Sequence, residues 1–443
     1  MSTLTLVIIT VFVVGYICIA TESLLKINKA AIALLMCVIC WTLLMMAPGS
    51  FYPNVAPDGL IGHISEVIEH HLGDAAGTLF FLMGAMTIVE IVDSNGGFNF
   101  VRDALKTRSK RKLMWRVAFM TFFLSAILDN LTTSIVMIMV LRKLVQSRSE
   151  RLIYAALIVI AANSGGAFSP IGDVTTIMLW IKGVITTQGV LTEIFIPSLV
   201  SMVIPAFILQ YSLNGKFDKS QNLPKAEVTQ FTKVQRDIIF WLGVGGLVFV
   251  PIFKTITHLP PFMGILLVLG ILWTVTEIFH HNTSEDDTMA KRVSDLLSRI
   301  DLSTIMFFLG ILMAVAVLQE IGVLTRLGEG LNEAFNGNHY LVTGIIGILS
   351  SIVDNVPLVA GCMGMYPVQP TGDMAVDGIF WQLLAYCAGV GGSMLIIGSA
   401  AGVVVMGLEK ITFGWYMKKI TWIAFVGYLA GILVYWLERT FIF

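Results

Sequence analysis

Two acidic dipeptides lie inside apolar stretches of the chain, Asp129-Asn130 in the first half and Asp354-Asn355 in the second. An aspartate at the centre of a membrane helix costs about 2.5 to 3.5 kcal/mol on insertion scales, so such a residue usually serves a function. The structural alternative is that each aspartate caps a helix end or a turn, as most Asp-Asn dipeptides do. Because hard cations prefer oxygen ligands, we predict that these four residues bind sodium.

Other polar residues accompany both dipeptides and add hydroxyl, amide and carboxylate oxygens. The further candidates for binding a cation or a proton are Thr132, Thr133, Asn163, Ser164, Asp173, Thr175 and Thr176 in the first half and Ser393 and Ser399 in the second. The second half has no acidic counterpart of Asp173. Glu90 is a candidate proton relay, with an interfacial acid as the alternative interpretation.

Glycines and a proline interrupt two of the apolar runs. Gly165-Gly166, Pro170 and Gly172 lie within residues 152–184, and glycines recur at nearly the same offset as the dipeptides within 379–407. Glycine weakens a helix and proline removes a backbone donor. Both runs should therefore unwind near their middle, which would free carbonyl oxygens for a cation.

The composition is that of a membrane protein. The chain has 443 residues, of which 56% are hydrophobic and 13% charged, whereas soluble proteins have roughly 45–50% apolar and about 25% charged residues. Apolar runs long enough to cross the roughly 30 Å hydrocarbon core recur along the chain. We predict spans near 4–22, 30–48, 76–93, 152–184, 194–213, 237–253, 261–279, 302–319, 379–407 and 420–437.

The basic residues predict the topology. Six loops carry 24 of the 28 lysines and arginines, namely 23–29, 94–116, 142–151, 214–236, 280–301 and 408–419. The positive-inside rule assigns these loops to the cytoplasm and both termini to the other side. The apolar segment 117–141 has basic residues before and after it, so we predict a re-entrant hairpin whose turn lies at Asp129-Asn130. Its repeat partner, 341–366, would enter from the opposite face.

These features predict an all-α polytopic membrane protein with two inverted-topology repeats. Each repeat would have five spanning helices and one re-entrant hairpin, with a broken helix after the hairpin. The first repeat covers 1–215, a cytoplasmic linker covers 216–236, and the second repeat covers 237–443. Because five crossings is an odd number, the second repeat is inverted, as in alternating-access carriers.

Three motifs, Leu128–Thr133, Asn163–Thr176 and Val353–Pro357, closely resemble the NhaD-type sodium/proton antiporters of the ion transporter superfamily. The resemblance covers nearly the whole chain. It implies exchange of cytoplasmic sodium, and often lithium, for external protons across a bacterial inner membrane, by a homodimer. The superfamily also includes dicarboxylate and citrate carriers, many of which have a Ser-Asn-Thr tip in place of Asp-Asn.

The expected mechanism is competition, in which one carboxylate binds either a proton or sodium. We expect no enzymatic activity, no cofactor beyond the transported ions and no nucleic-acid partner. A sodium-coupled organic-anion symporter is the alternative. It is disfavoured because Asp129 and Asp354 would repel an anion and because no lysine or arginine is expected at bilayer depth beside the hairpins. A distant alternative is an intramembrane aspartyl protease, which needs two membrane aspartates, but Ile171-Gly172-Asp173 lacks the glycine that should precede that motif.

Overall fold

The computed structural model describes residues 3–98, 101, 104–213, 215–217, 231–281, 293–352 and 354–442. Within these ranges the regular structure is helical. Most of the predicted linker 216–236 lies outside the described residues. The helices, in chain order, are α1 (Thr3–Ala20), α2 (Glu22–Leu25), α3 (Lys29–Met46), α4 (Leu60–Ser94), α5 (Lys110–Leu128), α6 (Asn130–Leu144), α7 (Arg148–Ala167), α8 (Val174–Lys182), α9 (Thr187–Glu193), α10 (Phe195–Leu209), α11 (Lys233–Thr257), α12 (Pro261–His281), α13 (Val293–Leu297), α14 (Leu302–Glu320), α15 (Val323–Ala334), α16 (His339–Ser350), α17 (Asn355–Met365), α18 (Ile379–Gly391), α19 (Ala400–Glu409), α20 (Phe413–Lys419) and α21 (Thr421–Phe441).

Eight stretches of the described chain are long and apolar enough to cross a membrane as helices. They correspond to α1, α3, α4, α10, α11, α12, α14 and α21, and each coincides with a span predicted from the sequence. The chain is therefore a multi-pass membrane protein. The third span was predicted too short, because its polar first half, Leu60 to Ala75, continues the same helix instead of forming a loop.

The helices pack in two groups. In the first group α1 packs on α3, α3 packs on α14, and α4 packs on α11, α12 and α14. In the second group α5 and α6 pack on α7, α16 packs on α18, α7 and α18 pack on each other, and α10 packs on α21. Contacts of α14 with α17 and of α4 with α8 join the groups. The first three long helices of each half thus associate with one another, and the later elements of each half form the second group.

The centre of the second group is the pair α7 and α18. From Tyr154 to Ala167 and from Phe380 to Gly391, every residue of these helices is buried, as expected for helices whose faces are nearly all apolar. Each helix ends at the glycines found in the sequence, and helical structure resumes only at Val174 and at Ala400.

Glycine is required at two matching positions of this central pair. A Cβ atom at Gly165 would overlap the carbonyl oxygen of Phe122 in α5, and a Cβ atom at Gly391 would overlap the carbonyl oxygen of Gly347 in α16. Small residues let helix backbones approach this closely in membranes. The breaks in α7–α8 and α18–α19 are therefore held directly against the helices that precede the acidic dipeptides.

We predict that Gly391→Ala lowers the free energy of unfolding by about 1 to 3 kcal/mol, the usual cost of overpacking, because the new methyl group meets a backbone atom that cannot rotate away. The control is Gly407→Ala in α19, where a Cβ atom has open space. Thermal unfolding of the detergent-purified variants measures both. Equal melting temperatures for the two variants would contradict the close packing described here.

Candidate functional site

Asp129 lies at the break between α5 and α6, and its side chain caps α6. It has φ +73° between α5 and α6, a backbone conformation that is uncommon for a residue with a side chain. Its carboxylate accepts hydrogen bonds from the Thr132 backbone nitrogen at 2.8 Å and from the Thr132 hydroxyl at 2.9 Å. Such strained positions cluster at functional sites. The chain therefore has a helix break at Asp129, and whether this break is the turn of a re-entrant hairpin stays a prediction.

Asp173 is the point at which the two halves of the chain meet. It is 1% exposed and caps α8, accepting from the Thr175 backbone nitrogen at 3.1 Å. The Asn130 side-chain amide donates to Asp173 Oδ2 at 2.8 Å, and the Asn355 amide donates to both carboxylate oxygens at 3.4 Å. Both dipeptides that were recognised in the sequence therefore supply a donor to one buried carboxylate.

Asn163 extends this contact into the second broken helix. Its amide oxygen accepts from Asn130 at 3.0 Å, and its amide nitrogen donates to Ser393 at 3.1 Å and Ser399 at 2.9 Å. We call Asn130, Asn163, Asp173, Asn355, Ser393 and Ser399 the central polar cluster. All six are buried, and they come from both broken helices and both dipeptides.

Asp354 has a partner that the sequence analysis missed. Its Oδ2 atom lies 2.8 Å from the Lys29 ammonium, and its Oδ1 atom accepts from the Val356 backbone nitrogen at 3.3 Å. The expectation that no lysine or arginine lies beside the dipeptides is therefore wrong. Lys29 is the first residue of α3, and lysine extends a long apolar stem from such a position.

The remaining predicted residues fall into two sets. Thr132 bonds to Asp129, and Thr176 donates to the Asp173 carbonyl oxygen at 2.8 Å. The buried hydroxyls of Thr133 and Thr175 have no hydrogen-bond partner among the described residues. Buried polar groups are normally satisfied, so the Thr133 hydroxyl is free to bond to a further group, whereas the Thr175 hydroxyl lies beside the Asp173 carboxylate.

Two candidates lie apart from the cluster. The Ser164 hydroxyl accepts from Ser201 at 2.9 Å, so it contributes to packing against α10. Glu90 lies 3.5 Å from Arg299 and accepts from Ser94, in the manner of an interfacial acid. The structure does not bring Glu90 to the cluster.

Matching positions in the two halves make matching contacts. The Ser125 hydroxyl donates to the Ala162 carbonyl at 2.6 Å, and the Ser350 hydroxyl donates to the Ala388 carbonyl at 2.8 Å. Asp173 and Ser399 cap α8 and α19 with nearly the same backbone angles, φ −144° and −145°. Ser399 is thus the second-half equivalent of Asp173. The same equivalence can be read from the sequence, because Asp173 and Ser399 have the same separation as Gly165 and Gly391.

The donor set suits a small hard cation. The described residues contain no group of three or more histidine, cysteine, aspartate or glutamate side chains placed to hold a metal ion. A cation here would be held by one carboxylate with amide and hydroxyl oxygens, which is chemistry suited to hard ions and not to soft ones.

Comparisons with known proteins agree with this architecture. A family model described as citrate transporter matches residues 16–383. Sodium/proton antiporters 1 and 2 of Arabidopsis thaliana are 45% and 41% identical over 96% of this chain, and the matches cover 71% and 97% of those proteins. The Na(+)/H(+) antiporter NhaD of Alkalimonas amylolytica is 31% identical over 98% of this chain and 90% of its own length. The structure of the Alcanivorax borkumensis YdaH transporter matches with a TM-score of 0.62 and 13% identity, over 94% of this chain and 99% of that one.

The protein is a polytopic membrane transporter, with membrane-length helices, two broken helices and a shared polar cluster. Membership of a transporter family excludes the intramembrane aspartyl protease considered from the sequence. The chain belongs to the citrate-transporter family and to the NhaD-type sodium/proton antiporters. The resemblance inferred from the three motifs is confirmed.

We predict that Asn163→Ala lowers the free energy of unfolding by about 1 to 3 kcal/mol, the usual cost of leaving buried partners unsatisfied, because Asn130 loses an acceptor and both serines lose a donor. Ser164→Ala is the neighbouring control and should cost less, since Ser201 keeps its bond to the Ser198 carbonyl. Denaturant or thermal unfolding followed by tryptophan fluorescence would measure the difference. The same loss in both variants would contradict a bridging role for Asn163.

Proposed function

We propose that this protein exchanges cytoplasmic sodium, and lithium, for external protons by alternating access, with membrane-embedded aspartates that bind either the cation or a proton. The single observation that carries the proposal is the convergence of Asn130 and Asn355 on Asp173, with Asp129 and Asp354 at the two neighbouring helix ends. The relatives named sodium/proton antiporters support the choice of ions.

The architecture that we propose for this exchange is the inverted repeat predicted from the sequence. The helix breaks at Asp129 and near Asp354 would be the tips of re-entrant hairpins that enter from opposite faces. The matching serine contacts and helix caps of the two halves support it. The contacts among the first helices of each half suggest a scaffold, and the second group would move against it.

The location and the assembly are also proposals. The positive-inside rule favours termini on the outer side of a bacterial inner membrane, and the family resemblance favours a homodimer. The transported ions are the only small molecules that the mechanism needs.

A sodium-coupled organic-anion symporter is the second candidate. The description of the family model as citrate transporter and the position of Lys29 favour it. Against it, the Lys29 ammonium is already engaged by Asp354. The helix N-termini that would attract a substrate carboxylate are capped by Asp129, Asp173 and Asp354. The site therefore supplies its own anions, which suits a cation.

We predict that Asp129→Asn abolishes sodium-dependent proton movement while the protein remains folded, because the change keeps the side-chain volume but removes the charge. The measurement is proton flux in vesicles that contain the purified variant. Glu90→Gln is the control, since Glu90 lies away from the cluster, and it should keep most of the flux. Full flux in a well-expressed Asp129→Asn protein would remove that residue from the mechanism.

We predict that protons weaken sodium binding, because a protonated carboxylate has no charge to offer. Below the pH at which the site begins to take up protons, the apparent sodium affinity should fall about tenfold per pH unit for one competing proton and about a hundredfold for two. Direct binding to the detergent-solubilised protein between pH 6 and 9 gives the slope. A sodium affinity that does not change with pH would favour symport over exchange.

A further inference from the structure

The two aspartates that match in sequence differ in their partners. Asp354 is paired with the Lys29 ammonium at 2.8 Å, and their side chains are only 15% and 23% exposed. The same ammonium lies 4.2 Å from the centre of the Phe307 ring, a favourable position for a cation. Asp129 accepts hydrogen bonds from Thr132 and forms no ion pair among the described residues. One of the two carboxylates is thus neutralised by the protein itself.

A second lysine, Lys254, lies in the last turn before the corresponding link in the other half. Lys29 lies at the junction between the first two long helices of the first half, α1 and α3, and Lys254 lies near the end of α11, just before α12. The two lysines are 225 residues apart, as are Asp129 and Asp354, while the helices α3 and α12 begin 232 residues apart. Because Lys29 of the first half reaches the aspartate of the second, repeat symmetry would direct Lys254 of the second half to Asp129 of the first.

Lys254 is held by a weaker partner in this structure. Its ammonium donates to the Trp180 carbonyl oxygen at 2.7 Å and lies 4.3 Å from the centre of the Trp180 ring. A charged acceptor makes a stronger bond to an ammonium than a neutral carbonyl does. Lys254 would therefore form a stronger hydrogen bond with a carboxylate than with its present carbonyl partner.

The position of Lys254 relative to Asp129 can be described along α11, because Lys254 and a residue near Asp129 lie on this helix. Leu247 of α11 and Asp129 line the same small cavity. Lys254 follows Leu247 by two helical turns, so it lies about 10 Å farther along α11. A displacement of the second helix group along α11 toward Lys254 would bring Asp129 to the ammonium, and the same movement would change the distance between Asp354 and Lys29.

We propose that Lys29 and Lys254 are alternating counter-ions. Lys29 pairs with Asp354 in the conformation seen here, Lys254 pairs with Asp129 in the opposite conformation, and each pair stabilises its own end state. This inference rests on the proposed alternating access. In each end state one aspartate is neutralised by a lysine and the other is open to the transported ion, with Asp173 between them. The lysines are positioning residues that set the balance of the two conformations.

The test follows the conformation by chemical labelling, without sodium. All native cysteines are replaced, and Met363→Cys is added as a reporter in α17. Met363 and Lys254 line the same cavity of about 730 Å³ between the helix groups. The rate of reaction with a membrane-impermeant maleimide is then compared for Lys29→Gln, Lys254→Gln, the double variant and the parent. Lys26→Gln is the matched control, because Lys26 is exposed and lies just before Lys29 in the chain.

Loss of either lysine should shift the labelling rate by about fivefold, the upper range for a partly exposed ion pair, and the two shifts should be in opposite directions. The double variant should return to within about twofold of the parent, since each end state has then lost one pair, and Lys26→Gln should match the parent. Shifts in the same direction, a shift with only one lysine, or a double variant that does not return would overturn the proposal.

The labelling experiment is separate from the test of the exchange function. It needs no transported ion, whereas the exchange function is tested by the pH dependence of sodium binding to the parent protein. If sodium binding proves independent of pH, the shared-site mechanism fails, and the labelling rates still decide whether the lysines alternate.

Discussion

The structure of the site depends on the need to satisfy one buried carboxylate. Asp173 lies at the centre of the protein, and a buried acceptor of this kind is costly unless donors surround it. Its donors are the amides of Asn130 and Asn355 and a backbone nitrogen of α8. Because the two amides come from different halves, both halves must reach the same point. The helix breaks and the glycines at the crossing of the backbones are what allow that approach.

The N-termini of several helices determine the electrostatic potential around Asp173. Four helices, α6, α8, α17 and α19, begin there, and a helix N-terminus carries a partial positive charge. In this chain Asp129, Asp173 and Asp354 cap three of them and Ser399 caps the fourth. A related carrier with neutral tips would leave that positive potential for an anionic substrate. The capping interpretation and the cation-binding interpretation of the aspartates are therefore compatible, since the same carboxylates that cap the helices make the site attractive to cations.

Much of this arrangement follows from the sequence by physical reasoning. The cost of charge in lipid singled out Asp129 and Asp354, and the glycines located the breaks in α7–α8 and α18–α19. Two features did not follow. The first half of α4 is helical but polar, so hydropathy alone does not predict it as part of a span. The pairing of Lys29 with Asp354 joins residues 325 positions apart. Lys29 lies at the edge of a predicted span, so the sequence does not indicate that its side chain reaches Asp354.

The two halves of the chain differ at the positions that could have supplied a second central acid. At the second-half position that matches Asn163 the chain has Gly389, where a Cβ atom would lie 3.1 Å from the Ala167 Cβ atom and 3.6 Å from Asp173 Oδ2. A larger side chain there would press on Ala167 beside the buried carboxylate. At the position that matches Asp173 the chain has Ser399, and a second aspartate would place two like charges across the same cluster, which opposes the ionisation of both. Because only one aspartate lies at the shared centre, Asp173 avoids that repulsion.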